Sequence, residues 1–158
     1  MKRETFSPIQ AQQVAAAFAK HQVDYMFIGK SGAILLGYPG TTQDVDVFPR
    51  NDSENGRRIV SALIELGFEI NSSLETEIIR GKEFVQIKNG PFDIDLVFAP
   101  DGIENFDEAK KRIDTSSGFP VANIRDIIES KRAAKRPRDA IELPQLQAFR
   151  EEYEKNKS

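Results

Sequence analysis

Two pairs of aspartates, each spaced two residues apart, are the residues of this sequence best suited to chemistry. They are Asp44-Val45-Asp46 and Asp93-Ile94-Asp95. Both pairs lie inside apolar, β-type runs, where aspartate is disfavoured and an unpaired buried carboxylate is costly. Residues i and i+2 of a strand project from the same face, so each pair presents its carboxylates side by side. Such hard oxygen ligands favour Mg²⁺ or Mn²⁺, and two such ions promote in-line phosphoryl or nucleotidyl transfer.

A solvated sheet face is the alternative explanation for the same pattern. The second aspartate pair alternates with apolar residues, as in a strand with one buried and one solvent-exposed face. These apolar residues are Phe92, Ile94, Leu96 and Phe98. The alternation by itself leaves both explanations open. If the carboxylates share a cation, Asp44, Asp46 and Asp95 must converge in space and their strands must be direct neighbours.

Composition excludes several other kinds of chemistry. The 158 residues include one histidine (His21) and no cysteine, which excludes thiolate nucleophiles, disulfides and multi-histidine metal sites. A formal net charge of −3 removes the general electrostatic case for nucleic-acid binding, although a local basic patch is compatible with it. We find no apolar run long enough for a membrane span and no signal-peptide pattern, so we expect a cytoplasmic protein that does not engage membranes.

The elements that must position the aspartates are predicted from hydrophobic period and turn residues. The predicted strands cover 23–28, 44–48, 77–80, 84–88 and 92–98. The predicted helices cover 9–21, 33–36, a segment from about 53 to 66, 103–113, 124–135 and 139–153. At this length we predict one domain over 1–158, of α/β (α+β) class.

A glycine-containing turn, Gly29-Lys30-Ser31-Gly32, separates the first predicted strand from the short helix that follows it. A Walker A loop does not explain this turn, because the four residues before Gly29 are typical of a strand. A strand, turn and helix can still bind phosphate through backbone N–H groups at the helix start.

The order of these features resembles the DNA polymerase β-like nucleotidyltransferase superfamily. The resemblance rests on the strand, glycine turn and helix, on Thr42-x-Asp44-x-Asp46, and on an isolated aspartate in a later strand. The stretch 124–139 is similar to the end of small, stand-alone bacterial members, including relatives of abortive-infection and minimal nucleotidyltransferase toxins. The resemblance implies a nucleotidyltransferase-like mixed β-sheet flanked by helices, with a C-terminal helical pair, 123–153, packed on it.

The resemblance also implies roles for individual residues. Asp44 and Asp46 would bind the metal, and Asp95 would complete the site and help deprotonate an acceptor hydroxyl, with Asp93 as its rival. The cofactor would be Mg²⁺ or Mn²⁺ and the substrate an NTP. The residues expected to contact the nucleotide are Gly29, Lys30, Ser31, Thr42, Lys131 and Arg136. Asp139 also matches the C-terminal motif.

Two positions depart from the family pattern. Lys30 stands where a second glycine or a serine usually follows the first glycine of the turn, and Gly40 stands where a basic residue is often found. The side chain of Lys30 either neutralises phosphate charge or fills the nucleotide's place. Both departures bear on catalytic competence and leave the expected fold unchanged.

Three functions are compatible with these residues and with the resemblance. The first is a metal-dependent nucleotidyltransferase that moves an NMP from an NTP to a hydroxyl of a tRNA end or other RNA, a protein Tyr or Ser, or a small molecule such as an aminoglycoside. The second is a catalytically degenerate binding or regulatory module. The third is a toxin–antitoxin-type interaction protein whose partner docks on the C-terminal helices. The basic cluster 131–138 is either a solvated helix end or a binding site for RNA phosphates.

Overall fold

A four-stranded mixed β-sheet forms the centre of the molecule, which we describe from a computed structural model covering residues 5–157. The strands are β1 (Tyr25–Phe27), β2 (Asp44–Pro49), β3 (Phe84–Ile87) and β4 (Asp93–Val97). Their order across the sheet is β1-β2-β4-β3. The two central strands, β2 and β4, are parallel, and each outer strand is antiparallel to its neighbour.

Seven helices flank this sheet in the described part of the chain. They are α1 (Pro8–Lys20), α2 (Gly29–Leu35), α3 (Ser53–Glu65), α4 (Ser72–Arg80), α5 (Phe106–Lys111), α6 (Ile124–Ala134) and α7 (Pro137–Lys157). The expected mixed sheet with flanking helices and a C-terminal helical pair, α6 and α7, is confirmed. No helix within residues 5–157 combines the length and the apolar character needed to cross a membrane.

The two central strands separate an apolar face from a carboxylate face. Val45 and Val47 of β2 and Ile94 and Leu96 of β4 are fully buried in the hydrophobic core. The aspartates alternate with these residues and therefore point to the opposite face. Burial of the apolar residues determines which way both strands face, and the carboxylates follow from the alternation.

The ends of several helices follow local sequence signals. Asp52 caps α3 by accepting a hydrogen bond from the Asn55 backbone N–H, and Asn71 caps α4 by accepting one from Leu74. Lys135 adopts the left-handed conformation after α6, and α7 begins at Pro137. The connection between the two helices is therefore short, and α7 packs against α6. Proline is tolerated in the first turn of a helix, so Pro137 can begin α7.

The prediction of a strand over 77–80 is wrong. Those residues form the last turn of α4, where Ile78 is fully buried and Gly81 ends the helix in the left-handed conformation. A four-residue run with two isoleucines fits a buried strand and a buried helix face equally well, and packing of α4 against α3 decides between them. The predicted helix 33–36 begins earlier, at Gly29, and the predicted helix 103–113 is shorter, Phe106–Lys111.

Packing of α3 against α4 depends on a glycine. A Cβ added at Gly56 would lie 2.8 Å from the Cα of Ile79 and 3.0 Å from the carbonyl oxygen of Ile78. We expect Gly56→Ala to destabilise the protein by about 1–3 kcal/mol, because the α4 backbone must move away. Urea unfolding measures the change, and Ser61→Ala, at an exposed position of the same helix, is the control. An unchanged Gly56→Ala midpoint would contradict this packing.

Candidate functional site

A cavity of about 620 Å³ opens on the carboxylate face of the sheet. Its walls come from the sheet, from the start of α2, from α6 and from the start of α7. Of the nine residues predicted to act in catalysis or nucleotide binding, eight line this cavity. These eight are Gly29, Lys30, Thr42, Asp44, Asp46, Asp95, Lys131 and Arg136.

Parallel pairing of β2 with β4 brings the aspartates together. Asp46 lies opposite Asp95 in the ladder, and Asp44 lies opposite Asp93. The carboxyl groups of Asp46 and Asp95 lie close enough to influence each other's pKa. Asp95 lines the cavity with Asp44 and Asp46, whereas Asp93 is not among the cavity-lining residues. The expectation that the two strands are direct neighbours is confirmed.

The electrostatics of this cluster favour a shared positive charge. Burial raises the pKa of Asp46 well above its usual range, and the neighbouring charges of Asp95 and Asp44 raise it further. Burial and the charge of Asp44 raise the pKa of Asp95 to about 6. Carboxyl groups this close share a proton when no cation is bound, because two adjacent buried negative charges repel one another.

The donor set suits a magnesium or manganese ion. Within residues 5–157 no three acidic or imidazole groups already have the spacing of a complete ligand set. Mg²⁺, however, commonly binds one or two carboxylates and completes its octahedron with waters and phosphate oxygens. The facing carboxyl groups of Asp46 and Asp95, with Asp44 beside them, fit that requirement because a divalent cation would replace the shared proton.

Gly29 brings the start of α2 against the carboxylate of Asp46. Gly29 has a φ of +68°, a conformation that glycine adopts without strain. A Cβ at this position would collide with the Asp46 carboxylate. The backbone at the beginning of α2 therefore lies directly beside the proposed metal ligands.

Ser31 differs from the other predicted contacts because its hydroxyl is fully buried and does not line the cavity. The hydroxyl donates a hydrogen bond to the carbonyl of Ile28 (3.2 Å) and accepts one from the backbone N–H of Asp46 (2.9 Å). These bonds tie the start of α2 to β2. The Ser31 side chain therefore positions Asp46, and the sequence alone did not distinguish this role from phosphate contact.

Three cations of the cavity, Lys30, Lys131 and Arg136, are held by carboxylates from α7. Asp139, which is 1% exposed, accepts hydrogen bonds from Lys131 (3.2 Å) and from Arg136 (2.7 Å). Glu142 pairs with Lys30 at 3.2 Å. The sequence reasoning missed Glu142, although its position one helical turn after Asp139 was the signal that could have found it.

The comparisons with known proteins bear on the fold. No family model and no curated protein matches this sequence. A candidate nucleotidyltransferase from Thermotoga maritima has a similar structure, with a TM-score of 0.54 and 15% sequence identity, over 90% of this chain and 93% of that one. The fold is nucleotidyltransferase-like. At 15% identity the similarity concerns the fold alone.

We expect Gly29→Ala to damage the carboxylate cluster. The substitution forces a side chain into the left-handed conformation, which costs about 1–2 kcal/mol, and drives its Cβ into the Asp46 carboxylate. Both thermal stability and Mn²⁺ affinity should fall. Gly118→Ala is the matched control, since Gly118 also has a positive φ but nothing lies within 4 Å of an added Cβ. Equal losses of Mn²⁺ affinity in both variants would contradict the contact.

The raised pKa of Asp95 makes the stability of the metal-free protein depend on pH. A raised carboxyl pKa means that the folded state binds the proton more tightly than the unfolded state, so metal-free stability falls as the pH rises from about 4 through about 6. Asp95→Asn should remove much of this fall and stabilise the metal-free protein at pH 7 by about 1–3 kcal/mol. Urea unfolding in EDTA between pH 4 and 7.5 measures it.

Asp101→Asn is the control for charge, because Asp101 also lines the cavity but is exposed. It should leave the pH dependence of unfolding close to that of the wild type. If Asp95→Asn and Asp101→Asn behave alike, the carboxyl pair does not carry the effect.

Proposed function

We propose that this protein is a metal-dependent nucleotidyltransferase that moves an NMP from an NTP to a hydroxyl acceptor. The observation that carries the proposal is the Asp46–Asp95 pair, with Asp44 beside it, in one cavity with lysine and arginine side chains. A carboxylate cluster facing Lys and Arg side chains is the arrangement that a metal–triphosphate complex requires. The nucleotidyltransferase-like fold supports the same conclusion.

The proposal assigns a task to each part of the cavity. Asp44, Asp46 and Asp95 would hold Mg²⁺ or Mn²⁺, which supplies charge neutralisation at the reacting phosphate when bound. Lys30, Lys131, Arg136, Thr42 and the backbone at Gly29 would orient the triphosphate.

In the proposed transfer, the acceptor oxygen forms a bond to the α-phosphorus of the NTP, and the bond from that phosphorus to pyrophosphate breaks. Asp95, which lines the cavity and lies opposite Asp46 in the ladder, would take the acceptor's proton as a general base.

The acceptor is proposed only as a class, a hydroxyl of RNA, of a protein or of a small molecule. The basic segment 131–138 supports an acceptor that carries phosphates, since Arg138 lines the cavity as well as Lys131 and Arg136. Phosphate contacts of this kind contribute salt-dependent affinity.

A catalytically degenerate binding module or a toxin–antitoxin-type interaction protein is the second candidate. One observation favours it: Lys30, Lys131 and Arg136 are all paired with carboxylates of α7. In a degenerate relative these ion pairs would be permanent, and the nucleotide would not displace them.

The two candidates are separated by a labelling experiment. The protein is incubated with each labelled NTP, Mg²⁺ or Mn²⁺ and a cell extract, and the labelled acceptor is sought. We expect labelling that falls by roughly a hundredfold or more in Asp44→Asn and in Asp46→Asn. Asp107→Asn, an exposed residue that pairs with Arg50, should retain wild-type labelling. Absence of labelling with every NTP favours the degenerate module.

Metal binding provides an independent measurement. Mn²⁺ affinity should increase when NTP is present, because phosphate oxygens complete the coordination shell. The Asp44→Asn and Asp46→Asn changes should weaken Mn²⁺ binding while preserving the fold. Unchanged Mn²⁺ affinity in the double variant would overturn the metal assignment.

A further inference from the structure

Glu142 places a carboxylate between two lysines of the cavity. Its side chain lies 3.2 Å from Lys30 Nζ and 3.9 Å from Lys131 Nζ. All three side chains are largely buried, with exposures of 22% for Glu142, 26% for Lys30 and 11% for Lys131. The two lysines come from different helices, α2 and α6, and the carboxylate comes from a third, α7.

The position of the lysines relates them to the proposed metal ligands. Lys30 directly follows Gly29, which lies against the Asp46 carboxylate, and both lysines line the cavity that Asp46 also lines. An anion that reaches the aspartates through a bound cation would therefore extend between these two ammonium groups. A phosphate oxygen and a carboxylate oxygen make the same kind of charge-assisted hydrogen bond to lysine.

Gly40 leaves room for Lys30 to reach this position. A Cβ at Gly40 would lie 3.4 Å from Lys30 Cε and 3.1 Å from Tyr38 Cε2, so the lysine stem passes directly over the glycine. Tyr38 in turn donates a hydrogen bond to Gln145 of α7 (3.2 Å). The absence of a side chain at position 40 thus leaves space for the Lys30 side chain.

We propose that Lys30 and Lys131 form a polyphosphate subsite and that Glu142 is an autoinhibitory counter-anion, which the entering polyphosphate must displace. This inference rests on the proposed function. A polyphosphate has several anionic oxygens that can replace the Glu142 carboxylate at both lysines, but breaking the existing contacts costs free energy. Glu142 therefore lowers the affinity of the cavity for polyphosphate.

Calorimetric titration of the full-length protein in Mg²⁺ buffer, with tripolyphosphate and with orthophosphate, tests the inference. We expect Glu142→Gln to bind tripolyphosphate about tenfold more tightly, because a competing negative charge is removed. The gain for orthophosphate should be smaller, because Glu142 repels an anion of lower charge less strongly. Glu129→Gln is the matched control: Glu129 pairs with Arg132 outside the cavity, and its affinities should stay within about twofold of wild type.

Lys30→Met provides the second variant. It should weaken tripolyphosphate binding by about tenfold, and Glu142→Gln should produce a smaller gain in the Lys30→Met background, since the two residues act through one contact. Thermal unfolding of each variant confirms that it is folded. Weaker or unchanged tripolyphosphate binding in Glu142→Gln would overturn the inference, and so would absence of tripolyphosphate binding in wild type and variant alike.

Failure of the subsite and failure of the proposed function give different results. If NMP transfer occurs in the wild type but Glu142→Gln does not bind tripolyphosphate more tightly, only the role of Glu142 is wrong. If Glu142→Gln tightens binding as expected and no acceptor is ever labelled, the polyphosphate subsite is retained and the transferase proposal falls.

Discussion

Parallel hydrogen bonding between β2 and β4 decides which side chains can meet in the cavity. The ladder places Asp46 opposite Asp95 and keeps Val45 and Ile94 together in the core. A slip of one residue would turn every aspartate of one strand towards the apolar face, where no partner for a carboxylate exists. The hydrophobic core therefore enforces the register, and the register in turn assembles the carboxylate cluster.

The cluster has a cost in free energy that the surrounding structure has to offset. Burial and mutual repulsion raise the pKa values of Asp46 and Asp95, which means that their charged forms are destabilised in the metal-free fold. The charge of Lys131 acts in the opposite direction on Asp46, and Asp139 holds Lys131 in place. The C-terminal helices thus belong to the site electrostatically. Such destabilised ionisable groups are typical of functional sites, where groups needed for ligand binding lower the folding stability.

Much of the fold could be predicted because local and tertiary preferences agree. The expected strands around Tyr25–Phe27, Asp44–Pro49 and Asp93–Val97 are present, and so is the helical pair at the C-terminus. Agreement fails at residues 77–80, where a short isoleucine-rich run has no decisive period and the close approach of Gly56 to Ile79 favours a helix. Short apolar runs take the structure that buries them, and that depends on residues distant in sequence.

The sequence by itself determined the residue types and their local spacing: Asp-x-Asp pairs on strands, a glycine before a helix and basic residues near the C-terminal turn. Only the tertiary structure decided that Asp95 and not Asp93 lines the cavity, that the Ser31 hydroxyl binds the backbone of Asp46, and that Glu142 reaches Lys30. Spacing along a strand or helix is a local property of the backbone. Contacts between elements far apart in sequence depend on strand register and helix docking, which the packing of the whole core selects.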